Sequence, residues 1–406
     1  MPKLLQINIT ANWGSTGKIA ESIGLAAIKR GWESYIAYGR IANPSASQLI
    51  KVGGKWNTYL HFAGNRLLDL EGRCSTRATK RFIKEIDRIK PDVVQLHNIH
   101  DHFLNYRLLF EYLNQTDIQV VWTFHDCWAM TGHCMHFVTK NCDRWKTGCH
   151  DCLMKGEYPR SLVDRSRKNW ELKKSLFAGC KNLSVVACSD WIADFARESF
   201  LKDKRILTIH NGADLSIFKP QSKTESKRFK IIAVSSPWYP AKGELDIYKL
   251  RSILSDEDFE IIMVGLSANQ IKKLPTGIRE IQRTQNVNEL AKLYSNSDVL
   301  INPTYADTFP TVNLEALACG TPVITYRTGG SPEAVDEKTG IVVEQGNIGA
   351  LADAIRQMKE SPLSSEACRK RAEELFDKDK CFEKYIELYE EIANLRDCVY
   401  LRGDNS

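Results

Sequence analysis

The chain has 406 residues, 43% hydrophobic and 26% charged, an ordinary globular composition that excludes a disordered or fibrous protein. It exceeds the roughly 250–300 residues at which one hydrophobic core stops growing, so two domains are expected. The net charge of +6 hides an asymmetry: residues 1–205 carry 31 Lys+Arg against 20 Asp+Glu, and residues 206–406 carry 25 against 30. A basic half suits an anionic partner, whether nucleic acid, a phosphate-bearing substrate or an anionic membrane; a plain excess of surface lysine explains it equally.

No apolar run approaches the ~18–20 residues that span a bilayer. The opening Met1-Pro2-Lys3-Leu4-Leu5-Gln6-Ile7-Asn8-Ile9 turns polar too quickly for a signal peptide, so a cytoplasmic enzyme is expected. In chain order, short β-branched runs predict strands over residues 4–9, 34–38, 93–97, 120–124, 183–188 and 206–210. The rhythm repeats over 230–235, 260–264, 278–282, 299–302, 322–325 and 341–343. Runs apolar on both faces, separated by amphipathic stretches, are what a parallel sheet covered on two sides requires. The polar segment 219–230 lies between the two sets. An α/β protein of two Rossmann-like domains, 1–210 and 211–379, follows. Residues 363–397 read as continuous helix with an apolar stripe of Phe376, Phe382, Tyr385, Ile386, Leu388, Tyr389 and Ile392, and residues 380–406 are expected to pack back on the first domain.

Two nucleotide-site patterns fail after the first strand. Gly17-Lys18 has Asn12 where a phosphate loop needs glycine and Ile19 where it needs Ser or Thr; no G-x-G-x-x-G is present there either. What remains is a small-residue loop with Gly14 and Gly17 at a helix N-terminus, which favours an anion or is simply a tight turn. In the second half, Asp307-Thr308-Phe309-Pro310-Thr311-Val312-Asn313-Leu314-Glu315 sets two carboxylates eight residues apart, the second on a helix that ends at Gly320. A carboxylate there can accept both hydroxyls of a ribose while N–H groups at the helix start face a diphosphate; alternatively Glu315 is an early-helix acid favoured by the dipole.

Read together, the motifs resemble the retaining glycosyltransferases of family GT4, whose GT-B fold places two Rossmann-like domains across an interdomain cleft. Asp307 and Glu315 match the family's Glu-x7-Glu, followed by Ala316-x-Ala318-x-Gly320-x-Pro322-Val323. His125-Asp126 resembles the family histidine beside the donor sugar. His210-Asn211-Gly212-Ala213-Asp214 with Phe218 and Pro220, Lys242-Gly243, and Gly329-Gly330-Ser331-Pro332-Glu333 match in order. The resemblance implies that Glu315 binds the ribose of a nucleotide-sugar donor and that Asp307 touches the sugar hydroxyls. Lys242, with backbone N–H groups around Gly14 and Gly17 and in the 307–313 loop, where Phe309, Pro310 and Thr311 are expected to line the donor, would neutralise the diphosphate in place of a metal. His125 would orient the sugar, or stabilise positive charge developing at the anomeric carbon through its backbone carbonyl. Retention by front-face displacement is implied, with a glycan or lipid-linked acceptor in surface polysaccharide biosynthesis. Two positions depart from the pattern: aspartate stands at 307, and Pro237 stands where an arginine is expected, leaving Arg327 or Lys18 to substitute.

Cys134-x7-Cys142-x6-Cys149-x2-Cys152 has half-site spacing for a structural zinc, with His133, His136 and His150 as substitutes; buried free thiols are the equal alternative. The same segment resembles exopolysaccharide and colanic-acid transferases. Basic stretches 66–90 and 144–174, interleaved with Trp145, Tyr158, Trp170 and Phe177, suit either an anionic bilayer or ordinary solvated helix faces. Asp256-Glu257-Asp258 and Asp377-Lys378-Asp379 read as solvated charge rather than metal–diphosphate sites. A nucleotide-sugar epimerase or hydrolase of the same fold is the alternative reading. A nucleic-acid-binding module is the reading from a different class; no recognition helix or stacking motif supports it, and no nucleic-acid partner is expected.

Overall fold

The computed structural model describes residues 1–403, with side chains through Ala393. The chain forms two compact units, residues 1–209 with the helix from Phe382 onward, and residues 210–381.

The first unit is built on seven parallel strands: β1 Lys3–Asn8, β2 Glu33–Tyr38, β3 Gln48–Lys51, β4 Val93–Leu96, β5 Gln119–Phe124, β6 Leu183–Ala187 and β7 Arg205–Thr208. Their order is β3-β2-β1-β4-β5-β6-β7. Central β1 pairs Leu5 with Tyr35 on one side and with Val94 on the other. The order reverses between β1 and β4, and the carboxyl ends of the strands at such a reversal are where open α/β sheets take ligands. One face is covered by the helix Lys378–Gly403, whose Phe382, Tyr385, Ile386, Tyr389 and Ile392 pack on Leu4, Ile23, Trp32, Val93, Val121 and Val186. Each buried side chain of that size contributes about 1.5–3 kcal/mol. Its polar ends are paired too: Tyr389 Oη donates to Gln95 at 2.9 Å, and Arg30 bridges Glu383 and Glu390.

The second unit carries six parallel strands: β8 Phe229–Val234, β9 Phe259–Val264, β10 Ile278–Ile281, β11 Val299–Asn302, β12 Val323–Tyr326 and β13 Gly340–Val343. The order is β10-β9-β8-β11-β12-β13, reversing between β8 and β11. Ile231, Met263, Ile301 and Ile324 form the centre of its core with Leu351 and Ile355 of the helix Ile348–Glu360.

Two features differ from the sequence expectation. β3 was absent from it because this edge strand is mostly exposed and offers no apolar run. The expected single tail helix is broken: Phe376 and Asp377 leave the helix Ser365–Leu375 to pair with Ala213, whose N–H donates to the Phe376 carbonyl at 2.8 Å. Gly212 permits this, since a Cβ there would collide with the Lys378 backbone. The polar segment 219–230 lies within the second unit, tied down by Lys223 to Asp298 at 2.6 Å and by Thr224 to Asn296.

Candidate active site

In the second unit, the segments leaving β8 and β11 are laced together. The N–H of Tyr305 and the hydroxyl of Thr304 both donate to the Ala241 carbonyl, at 2.8 and 3.2 Å. Gly243 closes the turn with φ +77, in contact with the Pro303 carbonyl where any side chain would collide. This lacing carries Lys242 to Asp307, Nζ to Oδ2 2.5 Å, with both side chains about one-fifth exposed. Burial alone would lower the Lys242 pKa, but the charge and hydrogen bond of Asp307 raise it, so the ammonium is held charged.

Gly329 is pressed directly against the Asp307 carbonyl at φ +55, and Gly330 N–H donates to Thr308 at 3.1 Å. The two glycine-bearing loops are therefore one structural piece. The helix Thr311–Ala318 starts after Pro310 with no side-chain cap, leaving its positive end to the backbone. One turn in, Glu315 accepts from the hydroxyl of buried Tyr294 at 3.1 Å. Asn313 is fully buried and held by Asn302 at 2.9 Å. Phe309 and Pro310, expected to face a donor, are buried. The Phe309 ring stacks on His210 at 4.8 Å and lies 5.9 Å from Phe376, so these side chains are packing and only their backbone can face a ligand. His210 in turn meets Glu333 at 3.2 Å.

Arg327 is exposed and paired with Glu344 at 2.7 Å, and Lys18 is an exposed residue of the first unit. The two D-x-D strings have structural partners: Asp256 pairs with Arg251, Asp258 with Lys359, and Asp377 accepts from the Asp379 N–H.

In the first unit, the loop after β1 closes on itself by Asn12 N–H to Gly17 carbonyl at 3.1 Å. Gly17 must lack a side chain, because a Cβ would lie 2.6 Å from Thr10 Oγ1; Gly14 faces open space at φ +67. The helix Gly14–Lys29 also begins without a side-chain cap. His125 follows β5, partly exposed, with Nε2 3.0 Å from Nδ1 of His97 at the end of β4. Burial, against the opposing pull of Asp126, drops the His125 pKa to about 4, so the imidazole is neutral near pH 7. Asp126 instead takes a structural role, accepting from the Trp128 N–H and pairing with His100 at 2.9 Å.

The cysteine segment carries Cys134, Cys142, Cys149 and Cys152, open from the sequence to zinc or to free thiols. Among the described residues, no grouping of three ligand atoms within 4.8 Å of one another includes any of these four sulfurs. Cys149 accepts from the Gly132 N–H at 3.2 Å, and the Cys134 thiol donates to Cys152, drawing its pKa down to about 7. Nearby Lys173 is buried, donating to the Trp128 and Thr131 carbonyls at 2.6 and 3.0 Å, which pins the segment. Trp145, Trp170 and Phe177 are buried too, so the aromatics of segment 144–174 belong to the interior, Tyr158 excepted.

Two family models match consecutive parts of the chain. Residues 19–217 match Glycosyltransferase Family 4, and residues 216–375 match Glycosyl transferases group 1. The chain belongs to glycosyltransferase family 4. A protein of Escherichia coli (strain K12) named as a colanic acid biosynthesis glycosyl transferase, WcaC, is 24% identical over 96% of this chain and 100% of its own. Among solved structures, a sucrose-phosphate synthase from Thermosynechococcus elongatus superposes with TM-score 0.73 at 16% identity, covering 97% of this chain and 99% of that one. HepE of Anabaena, solved with UDP and glucose, gives TM-score 0.63 at 14% identity over 96% and 100%. The fold is GT-B.

For a family 4 glycosyltransferase, the residues missed from sequence are those that hold the motif residues: Tyr294 beneath Glu315, Asn302 beside Asn313, and Gln6 and His97 behind His125. Only Gln6 gave a signal, as a polar residue in the middle of an apolar strand.

Proposed function

We propose that the protein is a retaining glycosyltransferase that moves a sugar from a nucleotide-sugar donor to a glycan or lipid-linked acceptor in surface polysaccharide synthesis, without a catalytic metal. One observation carries the reading: Lys242, Asp307, Glu315 and an uncapped helix start stand on adjoining segments beyond the carboxyl ends of β8 and β11. Those groups suit the three parts of a nucleotide sugar. Glu315, steadied by Tyr294, accepts ribose hydroxyls. The Lys242 ammonium and the helix N–H groups carry the charge that grows on the leaving diphosphate, the work a metal does elsewhere. Asp307 accepts sugar hydroxyls. His125, neutral and half-shielded, orients the sugar. The leaving phosphate takes the acceptor proton as the new bond forms on the same face. The colanic-acid name of the relative and the UDP-glucose complex of HepE support the substrate classes.

Anomeric analysis of the product by NMR, with and without EDTA, tests the mechanism. Retained configuration and EDTA-resistant turnover are expected; inversion, or activity abolished by chelation and restored by a divalent ion, contradicts it.

Peripheral contact with an anionic membrane is part of the same proposal. The helix Lys55–Leu68 exposes Trp56, Tyr59, Leu60, Phe62 and Leu67, and basic Arg77, Lys80, Arg81, Lys84 and Arg88 lie on the helix Thr76–Ile89. Apolar side chains beside clustered cations are the composition of an interfacial surface.

A further inference from the structure

We propose that His97 and Gln6 are positioning residues that place the proton of His125 on Nε2 and leave the lone pair on Nδ1. The inference rests on the reading that His125 serves the sugar substrate. It starts from a residue with no place in a hydrophobic strand: Gln6, at the centre of β1, with no exposed surface. A buried amide costs free energy unless its donors and acceptors are met, so its presence calls for partners.

Those partners form a chain with a single consistent proton order. The Gln6 Nε2 group donates to the Ala20 carbonyl at 2.8 Å, and a carbonyl can only accept, which fixes the amide orientation. Gln6 Oε1 is then the atom 3.1 Å from His97 Nε2, so that nitrogen must carry a hydrogen. Burial, then the neighbouring His125, push the His97 pKa well below its ordinary value, so this ring carries one proton and its Nδ1 is an acceptor. The group 3.0 Å from that acceptor is His125 Nε2, which must donate. Reversing the order would set two lone pairs against each other at Gln6.

The surroundings hold the chain in place. Trp122 Nε1 donates to the His97 carbonyl at 3.0 Å. Gly24 leaves room for Gln6, since a Cβ there would come within 3.2 Å of Gln6 Nε2. The chemical consequence is selective. A neutral imidazole with its lone pair on Nδ1 accepts a hydrogen bond there from a hydroxyl, and has no proton on that edge to give to a phosphate oxygen. His125 is thereby matched to the sugar part of the donor and not to its diphosphate.

The test reads the proton directly. In protein labelled with 15N-histidine, long-range 1H–15N spectra of the full chain should show His125 with protonated Nε2 and a pyridine-type Nδ1. His97→Leu should lose that single tautomer, and His97→Asn, whose carbonyl oxygen falls near the position of Nδ1, should restore it. Gln6→Met, a second disruption that keeps the volume, should mix the His125 tautomers should His97→Leu not fold. A protonated Nδ1 in the wild type, or an unchanged tautomer in both His97→Leu and Gln6→Met, overturns the proposal. Turnover is read with whichever of UDP-, GDP-, ADP- or CDP-glucose the wild type consumes. A fall of about tenfold or more in kcat with little change in KM for His97→Leu, rescued by Asn, is expected. A tautomer that shifts while kcat stays constant would leave the proton order standing and overturn the role of His125 in the reaction.

Discussion

The ammonium of Lys242 and the carboxylate of Asp307 are each other's partner, 2.5 Å apart on segments that leave two adjacent strands. The ion pair keeps a cation in a mostly buried position before any substrate arrives. It also means a diphosphate must compete with Asp307 for Lys242. Such pairs lose more when one member is removed than their net worth, because the other charge is left partly desolvated.

Removing either member should therefore have opposite effects on nucleotide binding. Lys242→Met is expected to weaken nucleoside-diphosphate binding by roughly 10–100-fold, the value of a charge-assisted hydrogen bond. Asp307→Asn should leave that affinity equal or tighter, because Lys242 is released, while turnover falls by about tenfold or more as a sugar contact is lost. Calorimetric titration with nucleoside diphosphates checks the first part. Equal weakening in both variants contradicts it.

Stability should fall on the acid side of neutrality. His61 and His125 have pKa values lowered from 6.5 to about 4, each mainly by burial, and burial lowers His97 as well. Between pH 6.5 and 4 the unfolded chain binds more protons than the folded one, so stability drops as pH falls through that window. Glu71 and Asp126, both held near 2 against the cost of burial by histidine neighbours, extend the loss to lower pH. Asp101, raised mainly by burial, and His100 and His133, raised by Asp126 and Asp69 against the cost of burial, work the other way and offset part of the loss. Melting temperatures from pH 7 to 4.5 should decline, and less steeply in His125→Asn; a flat profile contradicts the assignment.

Gly329→Ala tests the contact between the two glycine-bearing loops. The new methyl meets the Asp307 carbonyl in a left-handed backbone conformation, and strain with displacement should cost about 1–3 kcal/mol. Nucleotide binding should weaken along with the melting temperature. Unchanged binding would show that Asp307 is positioned independently of this loop.

The exposed helix Lys55–Leu68 gives a separate expectation. Trp56→Ser with Leu60→Ser should reduce pelleting with anionic vesicles while leaving the melting temperature within a degree or two, since both side chains are already mostly exposed. Equal pelleting of the variant and the wild type removes this helix from any membrane contact.

How much of this was legible in the sequence follows from physical reach. Twelve of the thirteen strands among the described residues were readable, most of them because burial on both faces writes itself as apolar runs; β3, a mostly exposed edge strand, carries no such mark. Asp307, Glu315 and Lys242 could be named because their spacing to glycine and proline positions is local. Their support could not, since Tyr294 is 21 residues from Glu315 and Gln6 is 91 from His97. The burial of the Phe309 and Pro310 side chains was not legible either: a role for the backbone of this loop does not say which way its side chains point. For the cysteines, spacing sets ligand order along the chain but does not reveal Lys173, more than 20 residues on from Cys149, which donates into the same segment.

Binding of an activated sugar by the second unit is the claim on which the account turns. Isothermal titration of UDP-, GDP-, ADP- and CDP-glucose should be run against the wild type and against Glu315→Ala. At least one donor should bind the wild type in the micromolar range, and Glu315→Ala should weaken it by about tenfold or more through loss of the ribose contact. Equal affinity in the two proteins, or no binding of any donor by the wild type, would contradict it.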